Sequence, residues 1–278
     1  MASYPGSSRV LVISDSHLST RTPEAISNWA AIARVAGDFQ LVIHAGDLTL
    51  DGAGNVAELR EARQLLDALP VPWVAVPGNH DIGDNPGSEG SVVDRARLDG
   101  WRELIGPDYW TVEIGKTTAV GIDAQLLGSG LDVEDQQWAW LQERLASQPP
   151  DRQVILVSHK PLIASEDEIA SSPGYRFVPF KGRDRLLTLI DRVRCPLVVS
   201  GHVHQFRTLT VGPRRHVWAP TSWAVLPERA QRTIGSKCCG ALSLELGSSD
   251  LVRLELIEPP GLLQLTLEND FPDPYHIS

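Results

Sequence analysis

Val10–Ser14 reads VLVIS and runs directly into Asp15-Ser16-His17. A short, apolar, β-branched run bounded by polar residues is the pattern of a buried strand. Outward from it, Pro23 to Ala36 reads as a helix, with Thr22 as its cap and Pro23 in its first turn. Gln40–His44 reads as a second buried strand. Asn55–Leu69 reads as a helix with apolar Val56, Leu59, Leu65, Leu66 and Leu69, ending before Pro70. Pro72–Val76 is a third strand. This βαβαβ rhythm implies a parallel sheet flanked by helices.

Further along, a helix is expected around Val92–Ile105, and a hairpin of Tyr109–Ile114 with Thr117–Ile122 turning at Gly115-Lys116. A helix opens at Val133 or Glu134 with Asp132 as its cap and runs to about Ala146. Val154–Val157 and Leu197–Val199 read as buried strands, with a helix from about Asp184 to Val193 between them. After Gly201 the segments Phe206–Val211, His216–Ala219, Ala241–Leu246, Leu251–Ile257 and Leu262–Leu267 suggest a second, antiparallel sheet. No linker interrupts residues 1–278, so one domain is expected: two sheets packed on each other with helices outside. The tail from Asn269 to Ser278 reads as loosely attached.

Five short motifs stand where strands should end: Asp15-Ser16-His17, Gly46-Asp47, Gly78-Asn79-His80-Asp81, Ser158-His159 and Gly201-His202-Val203-His204. They hold five of the eight histidines. Open α/β sheets place their ligands at such strand ends. Each motif alone has a plain alternative. A DxH can be a turn Asp and a surface His, Gly-Asp is ordinary turn chemistry, and a lone Ser-His or a GHxH can be structural. Their conjunction in one order is what points to chemistry. Asp15 and His17, two apart in a chain leaving a strand, share one side. A carboxylate at Asp47 can bridge two cations, Asn79 offers an amide oxygen, and His159, His202 and His204 offer imidazoles. Mixed N/O ligation without thiolate suits Mn, Fe, Zn or Co.

The motifs as quoted, SDSHL (14–18), GDLT (46–49), PGNHD (77–81), SHKPL (158–162) and GHVH (201–204), resemble those of the calcineurin-like metallophosphoesterase superfamily. The resemblance implies a four-layer α/β/β/α sandwich and two divalent metal ions. It implies that Asp15, His17 and His204 hold one ion, that Asn79, His159 and His202 hold the other, and that Asp47 bridges them. A pair of dications activates water for attack on phosphorus and offsets charge on the phosphoryl oxygens. His80, beside a ligand but not assigned as one, is the expected group to protonate or stabilise the leaving oxygen. Asp81 would orient His80 or cap the following turn. LPVPWVAVPGNHD (69–81) looks most like bacterial phosphodiesterases of the superfamily, including the cyclic-nucleotide type. The stretch Gly106–Leu145, with GPDYW and QQWAWL, looks more like its phosphatase members.

Other residues have weaker claims. His44 reads as a core histidine or a support for the bridging carboxylate. His216 and His276 have no partner legible in the sequence. Trp218 and Trp223 read as core packing, with an aromatic wall for a flat substrate group as the alternative. Arg176, Lys181 and Arg183 lie in a loop-like stretch and read as solvated basic surface, or as a phosphate clamp. Glu166-Asp167-Glu168 reads as solvent-facing. Ile82–Leu98, with Asp84, Asn85, Glu89 and Asp94, is either a lid or a surface loop.

The chain has 278 residues and a net charge of -10, which argues against a broad nucleic-acid-binding face. An anionic substrate is still admitted, because bound dications invert the local potential. Cys195, Cys238 and Cys239 do not form a disulfide framework and read as reduced thiols; metal binding by the adjacent pair lacks a CxxC. Residues 1–8 carry no apolar segment of a signal peptide, and no apolar run approaches the ~20 residues of a bilayer span. A cytoplasmic protein without a membrane partner is expected. The function expected is hydrolysis of a small phosphodiester, of cyclic-nucleotide or glycerophosphodiester type. Alternatives are a phosphomonoesterase, a protein phosphatase, a nuclease, and a non-catalytic metal-binding scaffold. Oligomeric state is not legible.

Overall fold

The structure is a computed structural model that describes residues 8–88, 90–165, 176–247 and 252–267. Strand β1 (Ser8–Ile13), helix α1 (Pro23–Ala36), β2 (Leu41–His44), α2 (Val56–Asp67) and β3 (Trp73–Ala75) form the expected βαβαβ unit. A single turn, α3 (Asn79–Ile82), and α4 (Arg95–Leu104) follow it. Then come β4 (Trp110–Ile114), β5 (Thr117–Ile122), α5 (Asp132–Ala146), β6 (Gln153–Ser158), α6 (Phe180–Ile190) and β7 (Leu197–Ser200). Strands β8 (Arg207–Val211), β9 (Arg214–Trp218), β10 (Ala241–Leu246) and β11 (Val252–Ile257) complete the set.

Two mixed sheets result. One has the order β11-β10-β1-β2-β3, the other β4-β5-β6-β7-β9-β8. The alternation of side chains along each strand builds three cores. Val10 and Val12 of β1 meet Ile155, Val157, Leu197, Val199 and Val217 between the sheets. Leu11 and Ile13 point the other way, onto Trp29, Ile32, Leu59, Leu66 and Trp101 of the outer helices. Across the molecule, Val120, Leu156 and Val198 pack on Trp138, Leu141, Leu186 and Ile190. This is the expected α/β/β/α sandwich, and it explains why the strands read as unbroken apolar runs: both of their faces are covered.

The C-terminal strands do not form a separate antiparallel sheet. The β8–β9 hairpin joins the second sheet through parallel pairing of β9 with β7, and β10 pairs antiparallel with β1 of the first. Periodicity shows which residues face a core, not which open edge a strand will cover. Leu262–Leu267 is not a strand; Thr266 makes one bridge to Val225, and Leu263 is held by Asn28 of α1. Helix α4 starts at Arg95 with Asp94 as its cap, later than Val92. Thr22 does not cap α1: its hydroxyl donates to the carbonyls of His17 and Ser19. Asp132 lies inside α5 rather than capping it, and α6 begins at Phe180, so Lys181 and Arg183 are helical. Among the described residues no helix is long and apolar enough to cross a membrane. Glu89, Glu166-Asp167-Glu168, His276 and the tail from Asn269 to Ser278 lie outside the described residues.

Candidate metal centre

The motifs leave the carboxyl ends of β1, β2, β3, β6 and β7 and gather at one edge between the sheets. Backbone bonds carry the β1–β2 ladder past the strands: Asp15 N–H donates to Gly46 O, His17 N–H to Asp47 O, and Leu18 N–H to Leu48 O. Across the site Gly201 N–H donates to His159 O. Among the described residues the non-glycine residues with positive φ are Asp15, His17, Asp47, His202 and His204. This strained conformation costs of order 1–3 kcal/mol per residue and persists where surroundings impose it. Here it turns each of these side chains off its strand end. Two glycines make room. A Cβ on Gly46, itself at φ 95°, would lie 2.4 Å from Nδ1 of His159, and one on Gly201 would lie 2.7 Å from the Asp15 carboxylate.

All seven expected ligands are brought together. Asp15, His17, Asp47 and His204 offer atoms within 4.8 Å of one another, and so do Asp47, His159 and His202, with Asp47 common to both groups. Asn79 Oδ1 is 3.2 Å from His159 Nε2. Asp47 Oδ2 lies 3.2 Å from Nε2 of His159 and 3.8 Å from Nε2 of His17. His17 and His204 face each other Nε2 to Nε2 at 3.1 Å, and His202 Nδ1 is 3.1 Å from His159 Nε2. Backbone carbonyls orient two of the rings: His159 Nδ1–H donates to Ala45 O and His204 Nδ1–H to Ala224 O. A neutral imidazole that donates from Nδ1 presents a lone pair at Nε2. The Nε2 lone pair of His159 therefore faces Asp47 Oδ2 and Asn79 Oδ1, both acceptors. Acceptors converging on acceptors need a cation between them, so the donor set fits a metal.

The titration behaviour agrees. Burial alone would lower the pKa of His159, but Asp47 and then Asp15 push it up to about 9, so a proton takes the place a cation would. Burial would raise Asp47, yet His159 and His80 hold it well below the usual carboxylate range. Asp15 is raised by burial, against the pull of His204. His17 and His202 are held well below the ordinary histidine value, by burial first and then by His80 and His159 respectively.

His80 is bound at three points. Its N–H donates to Asp47 Oδ1 (2.9 Å), its Nδ1–H to Leu50 O (2.7 Å), and its carbonyl accepts from Ala53 N–H. Its ring stands edge-on to His17, 4.6 Å between centroids. Asp81 turns away from His80; its carboxylate accepts from the N–H groups of Leu48, Thr49 and Gly78 and from the Thr49 hydroxyl, tying Gly46-Asp47 to Gly78-Asn79. His44 bonds the Ser16 hydroxyl rather than Asp47. Trp218 is buried against Phe177 and Trp223 lies 5.0 Å from the His17 ring, fully enclosed, so neither is an exposed wall. Lys181 is exposed, whereas Arg183 is buried, over the Phe180 ring, and not solvated surface. In the Ile82–Leu98 stretch, Asp84 pairs with the buried Lys160, and Asn85 Nδ2 donates to the carbonyls of Ala124, Gln125 and Leu127, so these two residues are held against the body of the protein. Lys160 lies within the SHKPL motif, and nothing in the sequence signals its pairing with Asp84. The carbonyls of Ala45, Ala224 and Leu50 carry no side-chain signal at all.

Residues 8–206 match the family described as calcineurin-like phosphoesterase. The chain belongs to the calcineurin-like phosphoesterase family. Members of that family are metal-dependent phosphoric ester hydrolases, and the family works with two metal ions. A probable glycerophosphodiester phosphodiesterase of Arcobacter nitrofigilis is 28% identical over 60% of this chain and 58% of its own length. The chain thus spans less than two thirds of that relative. A 3',5'-cyclic adenosine monophosphate phosphodiesterase of Escherichia coli K12 is 24% identical over 89% of this chain and 88% of its own. Among solved structures, a purple acid phosphatase from yellow lupin seeds superimposes with a TM-score of 0.66 at 18% identity. It covers 95% of this calcineurin-like chain and 54% of the lupin chain, a likeness of fold.

Proposed function

We propose that this phosphoesterase hydrolyses a small phosphodiester, of the cyclic-nucleotide or glycerophosphodiester type. The observation that carries the reading is the position of Asp47, shared by two groups of inward-facing ligand atoms. Asp15, His17 and His204 would hold one ion, Asn79, His159 and His202 the other, and the Asp47 carboxylate both. Mn, Fe, Zn or Co suits this set of imidazole, carboxylate and amide donors. Bound there, two dications would acidify a water and neutralise charge developing on the phosphoryl oxygens.

The chain's own residues do the rest. Asp15 is fixed by His202 N–H, which donates to both carboxylate oxygens at 3.0 Å, and by the Ser14 hydroxyl. Ala45 O and Ala224 O hold His159 and His204 with Nε2 inward. His80, anchored through Nδ1–H to Leu50 O, acts from its imidazolium form: Nε2–H gives its proton to the leaving oxygen as the P–O bond breaks, which leaves the neutral Nδ1–H ring. Hydrolysis leaves a phosphomonoester and a freed hydroxyl, on separate molecules for an open diester and on one molecule for a cyclic nucleotide. The relatives of similar sequence that act on diesters support the diester reading over the monoester one. The filled ligand set disfavours a non-catalytic scaffold.

The test is a panel of 3',5'-cyclic nucleotides, glycerophosphodiesters, nucleoside monophosphates and sugar phosphates on protein reconstituted with each of the four metals. Diester turnover well above monoester turnover is expected. The reverse order would move the protein to the phosphomonoesterases, and inertness with all four metals would favour the scaffold.

A further inference from the structure

His80 does not stand on its own element alone. The turn after β2 grips it twice, at Nδ1 through Leu50 O (2.7 Å) and at its carbonyl through Ala53 N–H (3.0 Å). That turn is itself held from outside. Glu58, in the first turn of α2 and buried with 3% exposure, accepts Asp51 N–H at Oε2 (2.7 Å), next in sequence to the carbonyl that anchors the His80 ring. Its other oxygen accepts from the Ser19 hydroxyl (2.7 Å) and from Nη2 of Arg21 (2.7 Å), both in the loop that follows His17. Arg97 of α4 closes the far side by donating from Nε to Ala53 O. One buried carboxylate therefore joins the loop bearing Asp15 and His17 to the turn bearing the His80 anchor.

We propose that Glu58 is a positioning residue for His80: it fixes the Leu50 carbonyl, and through that carbonyl the placement of the His80 ring. The inference rests on the acid role given to His80 above. Without the Glu58 contact the turn keeps its Asp51–Asn55 bonds but loses the tie at Asp51 N–H, and Leu50 O is free to rotate away from Nδ1. A hydrogen bond to a buried carboxylate also stabilises α2, whose first turn carries this Glu. A purely structural role would therefore lower stability and leave the chemistry of the leaving group untouched.

The experiment compares wild type, Glu58→Gln, Glu58→Ala, His80→Ala and the Glu58→Ala/His80→Ala double variant, all metal-loaded with metal content verified. The substrates are an alkyl and a p-nitrophenyl phosphodiester. Expected is a kcat loss for Glu58→Ala of about tenfold or more on the alkyl ester and little on the nitrophenyl ester, with KM unchanged. The double variant should lose no more than His80→Ala, and Glu58→Gln, which keeps the volume and one acceptor oxygen, should recover part of the loss. Equal losses on both esters, or losses that add fully to those of His80→Ala, would overturn the inference. Failure of the acid role shows separately, as equal losses on the two esters in His80→Ala itself.

Discussion

His17 and His204 meet Nε2 to Nε2 at 3.1 Å, from strand ends 187 residues apart in sequence. His204 donates its Nδ1–H to Ala224 O, so its Nε2 carries the lone pair, and Asp15 Oδ1 lies 3.4 Å from the same atom. Without metal, His17 Nε2–H can donate to that lone pair; a cation bound between the two rings would take the place of this proton.

Chelation is expected to abolish turnover, and added divalent metal to restore it. His204→Ala should cost roughly 100-fold or more in activity, since changes merely supporting a ligand already cost 10–100-fold. Its metal content, measured by elemental analysis, should fall towards half that of wild type. Unchanged metal content in His204→Ala would remove this residue from the ligand set.

Gly46→Ala should be more damaging than any surface change, because the new Cβ would press on the His159 ring at a backbone φ that suits glycine. Gly100→Ala in α4 is the contrasting case. Its Cβ would meet only Val56 Cγ2 at 3.9 Å, and replacing a helical glycine stabilises by about 0.5–1 kcal/mol. Urea unfolding of both variants measures the difference; destabilisation by Gly100→Ala would contradict the packing described.

Asp81 accepts four hydrogen bonds in full burial. Asp81→Ala leaves three backbone N–H groups without it and should cost about 3 kcal/mol or more. Asp81→Asn should recover part of that at most, since its NH₂ must face a donor. A loss under about 1 kcal/mol in urea unfolding would show that this carboxylate does not tie the two motifs together.

Acid should weaken the fold through His216. It is buried on β9, neither ring nitrogen has a hydrogen-bond partner among the described residues, and burial, then Arg214, lowers its pKa to about 4. The folded state holds the neutral ring. Stability from this residue is thus intact above the unfolded pKa of ~6.5 and is lost as pH falls from there to about 4, by ~3 kcal/mol in full. His216→Leu should flatten the stability profile in that window. An identical slope in the variant would assign the acid sensitivity to other groups.

How far the sequence can be read follows from what each pattern encodes. VLVIS and its successors reveal strands because burial on both faces leaves no polar positions. The five motifs reveal the site because each combines ligand-type side chains with a strand end. The pairing of β9 with β7 and of β10 with β1 is illegible, since side-chain alternation is indifferent to which edge a strand covers. The same holds for Arg183, whose charge suggests solvent while the helix that carries it turns it inward. Glu58 looks like any exposed helical Glu until Asp51, Ser19 and Arg21 converge on it. The carbonyls that orient His159, His204 and His80 depend on loop geometry alone.

The central claim is two metal ions sharing the Asp47 carboxylate, and a manganese-soaked crystal examined by anomalous diffraction tests it most directly. Two peaks are predicted about 3.5–4 Å apart, one on each side of Asp47. A single peak, or peaks remote from Asp47, would contradict the account.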